Sequence, residues 1–221
     1  MPAPKLRLHL FGRFRVTVAD REIPIRSASA RAILAYLAVC KNHAEDRGRL
    51  AATIWESSED ARARQNLRQA LHALGQLDGA LASVIRADRN GVTLLAERIE
   101  TDASLLLNEI DAGQIRQDLL HGALRPDQML ATEPARGELF DSWLRLLRQD
   151  MANRMRERLA ALLERSDQTV ARRAADTLLA LDPADEQAVR FLIRYYHAHG
   201  QTAQARKTMA KATCWNVPRP R

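Results

Sequence analysis

The 221-residue sequence predicts a mainly α-helical protein with small β-sheets near its start, on three observations. Period-two alternation of apolar residues is confined to short runs before residue 98, apolar spacings of three and four carry most of the remainder, and a 34-residue repeat closes the chain. With 46% hydrophobic and 28% charged residues the composition is that of a soluble globular protein, long enough for one large domain or two small ones.

Taken in order, the opening segment places Leu6, Leu8 and Leu10 on one side and Arg7 and His9 on the other. Phe14, Val16 and Val18 then interleave with Arg13, Arg15 and Thr17, which predicts a second half-buried strand, with Gly12 as the turn or bulge between them. Ile23-Pro24-Ile25 supplies a third, short edge strand, where proline is tolerated. The period then changes to that of a helix capped by Ser27 or Ser29, with Ala32, Ile33, Tyr36, Leu37 and Cys40 on one apolar stripe. A second short helix carries Leu50, Ala51, Ile54 and Trp55. A third reads from Glu59 to Leu77, with Ala63, Leu67, Ala70, Leu71 and Leu74 inward and Gly75 weakening its last turn. Val84-Ile85-Arg86 and Val92 to Leu95 flank Asn90-Gly91, a hairpin signal because both residues accept positive φ. Sheet, three helices and terminal hairpin add up to a winged helix-turn-helix over residues 1–98.

Residues 99–221 read as helical. Leu105 to Ile110, Ile115 to Leu120 and Leu139 to Met151 fit short amphipathic helices, broken at Arg125-Pro126-Asp127 and Glu133-Pro134. Ala171-Arg172-Arg173 and Ala205-Arg206-Lys207 stand 34 residues apart, the tetratricopeptide period, and Pro183 has a counterpart displaced by one at Pro218. On that template Leu192, Tyr196, Gly200, Ala205 and Ala212 occupy consensus positions of one repeat. Leu162, Ala171 and Pro183 do so in the repeat before it, which starts at Ala152 and has Met155 where tryptophan is commonest.

The charge balance directs attention to the first part. The formal net charge is +7, and Met1 to Glu100 holds 16 Lys and Arg against 11 Asp and Glu. A basic excess favours an acidic partner such as nucleic acid. There is no apolar run of membrane-spanning length and no secretory signal, which points to a cytoplasmic protein without a membrane partner. Cys40 and Cys214 lack the spacing of a disulfide framework or zinc site, and Cys40 is expected in the core.

The third helix carries the chemistry. Opposite Leu67 it displays Arg62, Gln65, Arg68, Gln69, His72 and Gln76, with Arg64 and Asn66 on the flanks. Arginine reads guanine and glutamine reads adenine in the major groove, so this is the inventory of a recognition helix, with Arg64 and Asn66 within reach of phosphates. Exposed helix faces are polar in any case, but they normally mix signs, whereas no Asp or Glu occurs between Ala61 and Leu77. Arg86 and Arg89 on the hairpin are placed to meet the backbone or a narrow minor groove.

The strings LRLHLFGRFRV (from Leu6), SASARAILAYLAV (from Ser27) and RLAATIWESSEDARARQNLRQALHAL (from Arg49) resemble the Streptomyces antibiotic regulatory protein family. LFDSWLRLLRQDM (from Leu139) and LLALDPADEQAVRFLIRYYHAHGQTAQA (from Leu178) look like its bacterial transcriptional activator domain. The resemblance implies an OmpR-like winged helix on promoter DNA, as side-by-side copies on direct repeats, and a repeat domain that contacts RNA polymerase. It also implies a homodimer on DNA and a nucleoid location when bound. Arg62, Arg64, Asn66 and Arg68 match the family's recognition-helix pattern, and Trp55 and Leu71 its core. The end at Cys214 to Arg221 departs from the family's longer last helix, as Gly75 departs from a commonly basic position, which points to a shortened activator domain.

Nothing in the sequence argues for an enzyme or a cofactor. Phosphate-cradling glycine motifs and nucleophile elbows are absent, and His197 and His199 point about 200° apart on a helix, unsuited to a shared metal. Asp182, Asp185 and Glu186 around Pro183 read as helix-capping acids. The expectation is a DNA-binding activator; its rivals are an interaction module that no longer binds DNA and an N-terminal piece of a larger regulator.

Overall fold

The structure is a computed structural model that describes residues 5–120 and 124–215, the side chains of Leu120 and of residues 211–215 excepted. Pro218 and the rest of the tail from residue 216 lie outside the described residues, as does the side chain of Ala212. The fold is mainly α with small sheets at the N-terminal end, and the chain divides into two compact units.

The first unit comprises Met1–Leu105 and Asp127–Arg148. Strands β1 (Leu6–His9), β2 (Arg15–Val18) and β3 (Arg21–Ile23) form an antiparallel meander. The alternation expected from the sequence is present, with Leu6, Leu8, Val16, Val18 and Ile23 all buried. β3 ends before Pro24, which has no N–H to continue a ladder. Between β2 and β3, Ala19 and Asp20 adopt φ of 45° and 65°. Positive φ at both central residues makes this a primed hairpin turn, built here without glycine or asparagine.

Helix α1 (Ala28–Val39) starts at Ser27, whose Oγ accepts from Ala30 N at 3.2 Å. The expected single stripe is a wider burial: Ala30 and all seven residues from Ala32 to Ala38 are buried. Cys40 is not in the core as expected; it caps the C-terminus of α1, is half-buried, and donates to Ala44 O at 3.3 Å. Burial, reinforced by Glu45, raises its thiol pKa to about 11.

Next come β4 (Ala44–Asp46), α2 (Arg47–Ile54), α3 (Asp60–Leu77), the short α4 (Gly79–Ala82), β5 (Ile85–Ala87) and β6 (Gly91–Leu94). These strands form a second sheet in the order β4-β6-β5. β4 was not legible in the sequence, since three half-polar residues carry no period. Tyr36 donates to Glu45 Oε2 on β4 at 2.9 Å, and burial pushes the phenol above its usual range.

The sequence boundary at residue 98 lies inside the first unit. β7 (Ile99–Thr101) pairs in parallel with β1, giving the first sheet the order β3-β2-β1-β7. Helix α5 (Asp102–Asp111) follows at once, and Asp102 accepts from Leu10 N at 2.8 Å and Phe11 N at 3.2 Å. The chain returns to this unit at Asp127. Gly12 N donates to Gln128 O at 2.8 Å and Leu130 N to Leu10 O at 2.7 Å, so the bulge after β1 is paired with the returning segment. Gly12 there has φ +70°, a conformation that costs side-chain-bearing residues. Arg148 donates twice to Met129 O, at 2.7 and 3.0 Å.

The second unit holds Leu106–Pro126 and Gln149–Arg221. Its helices are the remainder of α5, α6 (Gln117–Leu120), the later part of α7 (Glu138–Arg165), α8 (Gln168–Leu181), α9 (Glu186–Ala198) and α10 (Thr202–Trp215). α7 has 28 residues, far beyond the expected Leu139 to Met151, with Met151, Met155, Leu159 and Leu162 continuing its buried side. Gln168 and Thr202, which open α8 and α10, stand 34 positions apart. Leu192, Tyr196 and Ala205 are buried as the repeat template expects, and Ala171, Ala174 and Ala175 allow close helix approach. Asp185 is buried, caps α9 through Ala188 N at 3.0 Å and pairs with Arg156 Nε at 2.8 Å. That is the capping role read from the sequence.

Two stability measurements follow. Replacing Ala19-Asp20 by Asn-Gly matches the residues to the turn and should stabilise by about 1 kcal/mol in urea melts. Asp102→Ala leaves two backbone N–H groups without their acceptor and should cost about 2–4 kcal/mol. Burial raises the Asp102 carboxyl pKa despite these bonds, so protonation favours the folded state. The advantage of wild type over Asp102→Ala should therefore grow as pH falls from the raised value through the ordinary carboxylate range, read by paired melts at pH 7 and pH 4.

Candidate nucleic-acid interface

The site is built on α3. Its inward side is set by Ala63, Leu67 and Leu74, which are buried, while Ala70 and Leu71 are half-buried. The 3.6-residue period then forces Arg62, Arg64, Gln65, Arg68, Gln69, His72 and Gln76 outward, and all seven are exposed. Asn66 is half-buried, and Trp55, expected in the core, is half-buried at the C-terminus of α2. The 18 residues of α3 make a rod of about 27 Å, and a B-form major groove is wide enough for a helix.

Beside α3 lies an open groove of about 820 Å³. Arg64, Leu67 and Arg68 form one wall, Ala87 to Asn90 of the β5–β6 hairpin another, and Asp46, Arg47 and Gly48 at the start of α2 close it. Of the residues expected from the sequence, the groove therefore brings together Arg64, Arg68 and Arg89. Arg62, Gln65, Gln69 and His72 stand on the exposed surface of α3 outside it, and Arg86 is exposed on β5.

Arg47 is the residue that sequence reasoning missed. It sits at the first position of α2, donates its N–H to Asn90 O at 2.9 Å and its Nη1 to Asp88 O at 3.1 Å, and so ties the helix start to the hairpin. No local signal marks it, because the partner is a backbone carbonyl more than 40 residues away.

The hairpin turn differs from the expected one. Neither Asn90 nor Gly91 has positive φ; instead Asp88 Oδ1 accepts from Asn90 N and Gly91 N, both at 2.8 Å. This aspartate-held turn replaces the primed turn that Asn-Gly suggested. The two backbone hydrogen bonds hold the Asp88 carboxyl below its usual range. Asp46 is likewise engaged, capping α2 through Arg49 N at 2.9 Å. The groove thus sets four guanidinium groups against two carboxylates, each of which also accepts from backbone N–H groups.

The distribution of partners is uneven. Arg7, Arg13, Arg21, Arg31 and Arg49 each face a carboxylate within the first unit. Among the described residues Arg62, Arg64, Arg68, Arg86 and Arg89 face none, and neither do Arg15, Arg26 and Arg98, which lie apart on other elements. A surface with uncompensated cations on one helix and its neighbouring hairpin favours a polyanion.

Among the described residues no group of three His, Cys, Asp or Glu side chains is placed to hold a metal ion, and no helix is long and apolar enough to cross a membrane. His199 caps α9 and stacks on Tyr195 with ring centroids 4.2 Å apart, so its environment is that of a helix end.

No family model matches the sequence, and no curated protein matches it. Among solved structures the fold is similar to Mycobacterium tuberculosis EmbR, determined in complex with a low-affinity phosphopeptide, with a TM-score of 0.62 and 18% sequence identity. The similarity covers 95% of this chain and 59% of that one, and the two share an architecture of N-terminal sheets and winged domain followed by helices.

Proposed function

We propose that the protein is a sequence-specific DNA-binding transcription regulator, an activator that places α3 in the major groove of promoter DNA. The observation that carries this reading is the convergence of Arg47, Arg64, Arg68 and Arg89 on one groove between α3 and the hairpin, where four guanidinium groups outnumber the two carboxylates, Asp46 and Asp88. Arg62, Gln65, Arg68, Gln69 and His72 are assigned to base edges. Arg64, Asn66, Arg86 and Arg89, with Arg47 added, are assigned to the sugar-phosphate backbone or the minor groove. The likeness to EmbR supports a regulator of the antibiotic regulatory protein type. Contact with RNA polymerase through the helical part, pairing of copies on neighbouring sites, and work at the nucleoid of a bacterial cytoplasm extend the same reading.

Selection from a random duplex pool, followed by titration of the winner and a scrambled control at several salt concentrations, tests it. Enrichment of one motif, bound about a thousandfold more tightly than the control, is the expected result. Equal and steeply salt-dependent binding of both would instead favour a module that holds a protein partner. On the selected duplex, Arg68→Ala should cost about 1–3 kcal/mol and relax preference at one position. Arg64→Ala should weaken all sequences alike and lower the salt slope by about one.

A further inference from the structure

We propose that Glu56 is a positioning residue for DNA reading: it fastens the turn between α2 and α3 to the first turn of α7 and so sets where the recognition helix begins. The inference rests on the DNA-binding function proposed above and deepens it. Glu56 lies in the turn formed by Trp55 to Glu59, and its Oε2 accepts from Leu139 N at 2.9 Å. Leu139 is the second residue of α7, so its N–H is one of the four that a helix start leaves unpaired, and a carboxylate there also meets the positive end of the helix dipole.

The local backbone is shaped for this contact. Gly137 has φ +134°, and a Cβ on it would press into Glu56 Oε2 and stand 3.2 Å from Glu56 Cβ. Only glycine lets the chain pass this close while leaving room for the carboxylate.

The returning segment is itself held firmly to the rest of the unit. Arg136 Nη1 donates to Ser29 Oγ on α1 at 3.1 Å, and Trp143 packs on Tyr36 with ring centroids 4.8 Å apart. Arg31 Nε pairs with Glu133 Oε1 at 2.7 Å. The turn, by contrast, has little of its own: Ser58 N donates to Trp55 O at 2.9 Å, and Glu59, the N-cap of α3, makes no side-chain capping bond. Arg62 and Arg64 follow within the first two turns of α3, so any drift of the turn is passed directly to them. Glu56 thereby links a segment some 80 residues downstream to the placement of base- and phosphate-reading side chains, without itself being one of them.

The sign of a mutation separates this role from plain electrostatics. If Glu56 acted only as a negative charge near a DNA surface, Glu56→Ala and Glu56→Gln would tighten binding equally. A positioning role predicts that Glu56→Ala weakens binding of the selected duplex about threefold to tenfold, while Glu56→Gln, whose amide oxygen still accepts from Leu139 N, stays within about twofold of wild type. Amide exchange of the full chain gives a readout that does not need DNA: exchange at Leu139 and over residues 58–63 should quicken in Glu56→Ala and not in Glu56→Gln. Wild-type affinity in Glu56→Ala, tighter binding in both variants, or a loss that Glu56→Gln shares would overturn the positioning role while leaving DNA binding intact. Failure of the wild-type chain to select any duplex would overturn the DNA-binding reading itself.

Discussion

Burial of α1 is the constraint on which the first unit depends. A helix whose residues from Ala32 to Ala38 are all buried has no solvent face, and such a helix must be covered on every side. α2, α3 and strand β6 of the hairpin pack against it. The returning segment completes the cover, with Trp143 set against Tyr36 and Arg136 reaching Ser29. Fully burying one Leu or Ile contributes about 1.5–3 kcal/mol, so Ile33, Leu34 and Leu37 alone outweigh any of the surface ion pairs nearby. The winged domain is therefore a unit of two chain segments, Met1–Leu105 and Asp127–Arg148.

The same requirement explains how charge is distributed. Arginines are tied down at the returning segment: Arg31 joins it through Glu133 and also donates to the carbonyls of Ile25 and Arg26, and Arg148 closes on the Met129 carbonyl within it. The Arg31–Glu133 pair joins the two segments, and both guanidinium groups are already engaged with partners inside the unit. On α3 and the β5–β6 hairpin the arginines project from elements that are already fixed by their apolar sides, and their donors stay available. Arg15, Arg26 and Arg98 also face no carboxylate, so what distinguishes the candidate interface is the clustering of unpaired guanidinium groups on one helix and its neighbouring hairpin.

Turn chemistry shows how context overrides local preference. Asn90-Gly91 has the residues of a primed turn, yet Asp88 supplies two acceptors for the backbone N–H groups and no positive φ is needed. Ala19-Asp20 has an alanine at its first central position, which does not favour positive φ, yet it adopts the primed conformation. There the pairings Val16 to Ile23 and Val18 to Arg21 leave two residues to close the hairpin, and the twist of the strands selects the turn. Strand register, fixed by buried side chains, costs more to shift than one unfavourable φ.

What the sequence alone determined is what short-range periodicity can encode: β1 and β2, the span and inward side of α3, the outward set from Arg62 to Gln76, the hairpin that carries Arg89, and the 34-residue spacing of α8 and α10. Each follows from which side of a strand or helix a residue must occupy, and that is a property of neighbours. Tertiary structure decided the rest. The parallel pairing of β7 with β1, the return of Asp127–Arg148, the anchoring of Arg47 to Asp88 and Asn90, and the bond from Glu56 to Leu139 all join residues that are distant in the chain. A backbone N–H or carbonyl is the same at every position, so no residue type announces such a partner. Only the tertiary fold brings these groups within hydrogen-bonding distance.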